Sequence, residues 1–309
     1  MEKILDIPKI YTANAEWMAC LTVILVYRRS LSPGRWNFLR ISGVMALSYL
    51  LIRLIQYYCQ QHDSFVWLIA MMCAVFVMIA TIRFTLMVRW SVAFYTGARA
   101  FMWAELAAAL EWQVYHYYTF GRNEMRSAHF GMAASLISYV LLYGIFYLVE
   151  QHQLPKDISA SKLTVTRANV IFAWVITGLL FGLSNLSYLV PNTPFSGTGI
   201  ANIFNVRTLF DVVGVVVGQM FHLQKQDMER RAENTAFETI LRNQYIQFRE
   251  SKENIDMINR KYHDLKHQRQ VLRETTGEAE RSSYIDEIQE GIEKYEAENK
   301  TGNDVLDTV

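Results

Sequence analysis

Apolar residues dominate the chain in long runs up to about residue 222, and polar and charged residues dominate beyond it. Apolar stretches of roughly 18–23 residues are long enough to cross a hydrocarbon core of about 30 Å as helices. Seven stretches of this kind fall at residues 11–27, 38–58, 65–83, 98–118, 130–149, 168–190 and 204–222. The first is the shortest and the fourth the most polar. From Phe221 to Gly277 the chain carries no proline, and glycine occurs only at the end. Helix-forming residues fill this segment. Leu241, Phe248, Ile255 and Tyr262 recur every seven residues, and Phe237, Ile258, Leu265 and Leu272 supply part of a second seam that Gln244 and Ser251 interrupt. An imperfect two-seam heptad predicts a parallel coiled coil of two copies, continuous with the seventh span.

Gly277 and the Ser282–Ser283 pair predict a turn and a new helix start. The segment that follows, "YIDEIQEGIEKYEAENK", places Ile285, Ile288, Ile292 and Tyr295 on one helical face. Two such helices from each of two copies would pack as a four-helix bundle. The predicted fold is therefore all-α. It is a polytopic helical membrane bundle of about seven spans, followed by a cytoplasmic coiled coil and a helical-hairpin dimerisation domain. Residues 1–222 form the transmembrane domain, 223–259 the coiled-coil helix, 260–300 the hairpin, and 301–309 the start of a further domain.

Charge distribution orients this arrangement. The loop after the first span carries Arg28, Arg29, Arg35 and Arg40, and the one after the third carries Arg89 flanked by Arg83 and Arg99. The loop after the fifth carries Lys156, Lys162 and Arg167, whereas the alternate loops read "CQQHDS", "TFGRNEMRSAH" and "PNTPFSGTGIAN". Basic residues favour the cytoplasmic side, so the amino terminus is expected outside and the polar tail inside. The net charge of +1 and the mixed signs of the tail give no footprint for nucleic acid. Cys20, Cys59 and Cys73 lie in or beside apolar runs without C-x-x-C spacing, which argues against a disulfide framework or a zinc site. No cleavage pattern follows the first apolar stretch, which is expected to be a retained span.

Arg53, Glu105, Glu111, Arg207 and Asp211 fall inside the expected spans. Each costs on the order of 2.5–3.5 kcal/mol at a helix centre, so each requires a partner or water. The topology places Arg53, Glu111, Arg207 and Asp211 in the outer half and Glu105 deeper, toward the inner side. Ion pairs of Arg53 with Glu111, or of Arg207 with Asp211 one turn on, would lock the helices together. Alternatively Arg53, Glu111, Arg207 and Asp211 bind a ligand in a cavity open to the outside, with Tyr57, Tyr58, Trp103, Trp112 and Tyr115 around it. A transport pathway is a third use of such charges. Gly178/Gly182 and Gly214/Gly218 have the spacing of close helix packing.

The tail carries "YHDLKHQ" at residues 262–268. A neutral imidazole nitrogen at His263 can attack the terminal phosphorus of ATP, and the neighbouring Asp264 carboxylate can take the other ring proton. A long helix with this box, a hairpin partner and then "YEAENKTGNDVLD" resembles the membrane sensor histidine kinases of the GHKL, quorum-sensing class. The resemblance is specific over residues 240–309 and architectural over residues 1–222. It implies that His263 is the phosphoacceptor and Asp264 its adjacent acid, in a homodimer formed through the coiled coil and hairpin. It further implies a multi-pass protein of the bacterial plasma membrane that senses a small molecule or peptide, contacts membrane lipid, and passes phosphate to an aspartate of a response regulator.

Family members bind Mg-ATP in Asn- and Gly-rich boxes beyond the hairpin. No Gly-rich phosphate cradle occurs in this sequence, so the 309-residue chain is expected to carry no cofactor and to be inactive alone. An ATP domain is expected past Val309. His267, one turn beyond His263, is a surface residue or half of a two-histidine metal clip. The competing functions are a transporter or channel with a coiled-coil tail, and a catalytically empty receptor acting through a partner kinase.

Overall fold

A computed structural model of the protein describes residues 7–27, 35–59, 64–120, 128–153, 165–189 and 200–274, together with Gly277 and scattered positions from 282 to 290. Every regular element among them is a helix: α1 (Lys9–Tyr27), α2 (Arg35–Cys59), α3 (Ser64–Leu86), α4 (Trp90–Phe120), α5 (Ala128–Gln153), α6 (Arg167–Ser184), α7 (Leu186–Leu189) and α8 (Ile200–Glu274). The chain divides into two units, Met1–Asp227 and Met228–Val309, and α8 contributes residues to both.

In the first unit the apolar surface is turned outward as well as inward. Leu50 and Leu54 of α2, Met72 and Phe76 of α3, Leu141 and Leu148 of α5, Phe172 and Leu179 of α6 are all exposed. Apolar faces this extensive do not occur on ordinary water-soluble domains. Six helices are long and apolar enough to cross a membrane, within α1, α2, α3, α5, α6 and α8.

The expected fourth span differs from these. It lies in α4, a helix of 31 residues that begins at Trp90, well before residue 98, and contains Arg99, Glu105 and Glu111. Every residue from 92 to 109 except Phe94 is buried. α4 packs against α1, α3, α5 and α6 and forms the centre of the unit. A helix surrounded by protein needs no apolar face toward lipid, which explains why its polarity is tolerated.

Local chemistry fixes several joints. The step from α3 to α4 turns at Met87, whose φ is 55° and whose N–H donates to Arg83 O at 2.9 Å, an αL helix end formed without glycine. The α6 start is capped by Thr166, whose hydroxyl oxygen accepts from the Asn169 N–H at 3.3 Å. At the other end of α6, the Asn185 backbone N–H and side-chain Nδ2 each donate to Phe181 O at 3.0 Å. This interrupts the expected sixth span and leaves the one-turn α7 beyond it. Tryptophan N–H groups satisfy main-chain oxygens between helices: Trp17 donates to Met45 O at 3.0 Å and Trp174 to Phe94 O at 3.1 Å.

The two glycine pairs behave differently. A Cβ at Gly214 would stand 3.3 Å from Leu180, and one at Gly218 only 2.6 Å from the Met102 methyl, so α8 approaches α6 and α4 closely there. At Gly178 and Gly182 no described atom lies within 4 Å of an added Cβ, so the expected packing role finds no partner for that pair among the described residues.

Candidate functional site

Buried charge in the first unit collects around α4. Glu105 is the middle residue of that helix, and its carboxylate oxygen lies 3.4 Å from Arg207 Nη2 on α8. Both side chains are almost wholly buried. The contact joins α4 to α8 and brings Glu105 to Arg207. The earlier start of α4 moves its midpoint onto Glu105. Asp211, one turn further along α8, makes no ion pair with any described residue, and its Oδ2 has no hydrogen-bond partner among them. The expected Arg207–Asp211 pair is thus replaced by a cross-helix pair. Residues four apart on a helix share a face, but here the longer-range partner captures the guanidinium.

The end of α6 completes this cluster. Ser184 stands beside the Asp211 carboxyl and Asn185 beside that of Glu105. A small cavity of about 10 Å³ is lined by Glu105, Asp211, Thr177, Phe101, Phe181 and Gly214, among others. Close by on α1 and α2, Gln56 Nε2 donates to both oxygens of the buried Glu16 carboxylate, at 3.0 and 3.1 Å.

Arg53 and Glu111 are not joined by an ion pair or hydrogen bond, and Oε2 of Glu111 lacks a partner among the described residues. Their helices α2 and α4 are separated by α1 and α3, which each pack against both. The expected ring of aromatics is dispersed as well. Tyr57 and Tyr58 are exposed, whereas Trp103 stacks on Phe146 with centroids 4.7 Å apart and Trp112 stacks on Tyr115 at 5.3 Å. Of the four residues expected to bind a ligand, only Arg207 and Asp211 share a locality with each other and with Glu105.

A second buried network links the start of α4, the end of α5 and α8. Arg99 Nη2 donates to Glu150 at 2.5 Å, to Gln219 at 3.0 Å and to Gln153 at 3.3 Å. Gln226 Nε2 donates to Gln153 O at 3.0 Å and to His222 Nε2 at 2.9 Å. An amide nitrogen only donates, so His222 carries its proton on Nδ1, and that N–H donates to the Tyr95 hydroxyl at 3.0 Å. Lys225 lies over the Tyr95 ring, 5.7 Å from its centroid. Arg99 sits at the edge of the expected fourth span, where it reads as a loop charge, and Glu150 directly follows the expected fifth span. Their position within one helical turn of a span boundary was the available signal.

In the second unit, α8 presents His263 and Asp264 to solvent, with side-chain exposures of 80% and 77% and Nδ1 and Oδ1 4.0 Å apart. This separation exceeds a hydrogen bond. His267 is also exposed. Phe237, Leu241, Phe248, Ile255, Ile258, Tyr262 and Leu265 form an exposed apolar line along the same helix. No set of three His, Cys, Asp or Glu side chains among the described residues is placed to hold a metal ion. The described positions between 282 and 290 are helical where assigned; the rest of the second hairpin helix and residues 301–309 lie outside the described residues. No protein-family model, no curated protein and no solved structure matches the chain.

Proposed function

We propose that the chain is the sensory and phosphoacceptor portion of a membrane sensor histidine kinase. The observation that carries this reading is the exposed His263–Asp264 pair on α8, a single helix of 75 residues whose earlier turns contribute Arg207 and Asp211 to the buried cluster. An element of this kind offers a route from a membrane signal to a phosphoacceptor. The heptad line of Leu241, Phe248, Ile255 and Tyr262, exposed in the single chain, supports a homodimer in which two α8 helices pair.

In the proposed reaction the His263 Nε2 lone pair forms a bond to the terminal phosphorus of ATP as the bond to the ADP oxygen breaks. Asp264 accepts the Nδ1 proton after a side-chain rotation closes the 4.0 Å gap. The phosphoryl group then passes to a response-regulator aspartate and His263 returns to its free form. Mg-ATP enters as a substrate held by a kinase domain outside residues 1–309. The signal, a small molecule or peptide, shifts or rotates α8 and so biases a two-state dimer. Seven spans, with the amino terminus outside a bacterial plasma membrane, complete the proposed arrangement.

The test uses the full gene product containing this chain, purified in lipid discs and incubated with terminally labelled ATP. Acid-labile phosphate is expected on the wild type and on His267→Gln, and absent from His263→Gln. Retention of label in His263→Gln would remove the proposed phosphoacceptor, and no label in the wild type with or without candidate signals would remove the kinase reading.

A further inference from the structure

Between Glu16 and Glu105 the sequence holds eight arginines and a single acidic residue, Asp63. Asp63 directly precedes Ser64, the first residue of α3, whereas Arg83 stands in the last turn of that helix. About 28 Å of helix separates Ser64 from Arg83, so Asp63 does not balance the far end of α3. The start of α2 reaches the same end, because Arg40 Nη2 donates to Thr85 O at 3.3 Å. Arg89, directly before α4, adds a third guanidinium to this corner.

These charges are uncompensated by protein. None of Arg40, Arg83 and Arg89 makes an ion pair with a described residue. Glu150, which α5 brings to the start of α4, is taken by Arg99. The Nε groups of Arg40 and Arg83 are buried and donate to no described residue. Both side chains are otherwise half-buried, and Arg89 is exposed. Arg83 lies over the Trp90 ring, 5.7 Å from its centroid. An aromatic face orients a guanidinium without supplying a full negative charge.

The surface beside the arginines is apolar. Phe38 of α2, Phe84 near the end of α3, Met87 in the turn and Trp90 are all exposed, and Phe84 meets Trp90 edge to face at 6.2 Å. Further along the same two helices Leu50, Leu54, Met72 and Phe76 are exposed as well, as on a flank that faces lipid. Together these features select the occupant. Arginines without an acid call for an anion, and the planar guanidinium fork matches a pair of phosphate oxygens. A free phosphate ion would leave the apolar flank uncovered. A phospholipid sets its phosphate at the edge of the hydrocarbon core, where α3 ends, and its acyl chains against that flank. A headgroup with its own ammonium would partly cancel the attraction, so a net anionic lipid is favoured. We propose that Arg40, Arg83 and Arg89 bind the phosphate of an anionic phospholipid where α2 meets the α3–α4 turn, and that the lipid holds this corner together. The site is independent of the phosphotransfer reading, because it is read in stability and lipid retention and needs no kinase domain.

The decisive experiment measures thermal unfolding of the full chain in discs of phosphatidylcholine with increasing phosphatidylglycerol, at constant ionic strength. Phosphatidylglycerol is expected to raise the wild-type midpoint saturably, by about 3 °C. Arg40→Gln/Arg83→Gln is expected to lose most of that rise, whereas Arg167→Gln/Arg230→Gln, which removes as much charge from exposed positions elsewhere, keeps it. Equal wild-type midpoints with and without phosphatidylglycerol would overturn the site, as would equal losses in the two double variants, which would assign the effect to bulk surface charge. Soluble glycerol phosphate, added to discs of phosphatidylcholine alone, is expected to leave the midpoint unchanged; a full rise would make the ligand a soluble phosphate and overturn the lipid. The wild type gives a second readout that needs no variant. After transfer from mixed discs to detergent, the lipid it retains, counted by mass spectrometry, is expected to be enriched in phosphatidylglycerol, and retention in the proportion of the discs would equally overturn the site.

Discussion

The Arg99 guanidinium makes hydrogen bonds to Glu150, Gln153 and Gln219, and these join three helices at a buried point. Taking a charge out of water is expensive, so removing one partner of such a pair leaves the other uncompensated. Glu150→Gln is expected to destabilise the chain by about 3 kcal/mol. In the double variant Arg99→Gln/Glu150→Gln the loss should be smaller than the sum of the two single losses, because no lone charge remains. Unfolding in a detergent titration of the four proteins measures this, and simple additivity would show that the pair is not coupled. The same logic explains what could be seen in the sequence and what could not. Arg207 and Asp211 stood out as costly residues in an apolar run. Their partners depend on the depth and rotation of α4, and no local pattern encodes those quantities. The i,i+4 spacing pointed to a local pair, whereas Arg207 reaches Glu105, a residue 102 positions away.

At the scale of elements, apolar run length located the helices because crossing or burying a helix demands it. It failed where that demand is relaxed. α4 is buried on all sides through its middle, so its ends were free to extend to Trp90 and Phe120 beyond the apolar run. The break at Asn185 was illegible for a different reason, since it arises from a side chain and a backbone N–H both turning to Phe181 O rather than from proline. α8 carries the opposite lesson. Its heptad spacing predicts a pairing seam, and the structure leaves Leu241, Phe248, Ile255 and Tyr262 exposed on the single chain. If two copies pair along it, Ile255→Cys in a background without the native cysteines will form a rapid disulfide-linked dimer. Glu253→Cys, two residues and about 200° around the helix, will not. Equal cross-linking at the two positions would show that the apolar line is not the dimer seam.

At the scale of the whole molecule, α4 decides the topology by parity. Six helices qualify as spans by length and apolarity, and α4 is not one of them. Six crossings would return the tail to the side on which the chain began; a seventh would separate the two. The 31 residues of α4 extend about 46 Å at the helical rise, long enough for a crossing of a hydrocarbon core of about 30 Å. The helix also packs along α1, α3, α5 and α6, each long and apolar enough to span. A central crossing can be polar because its neighbours shield it from lipid. The charge bias of the loops favours an odd count, since only that leaves their Arg and Lys on one side with the tail on the same side. Single cysteines at Ile10 and His267, in a background with Cys20, Cys59 and Cys73 replaced, separate the alternatives in intact cells. A membrane-impermeant thiol reagent is expected to label Ile10→Cys, whose side chain is exposed at the start of α1, and to reach His267→Cys only after permeabilisation. Labelling of both without permeabilisation, or of neither, would return an even number of crossings and place α4 within the bundle without spanning it. His263 would then lose the ATP-containing compartment in the first case, while in the second it would keep it and the amino terminus would join it there.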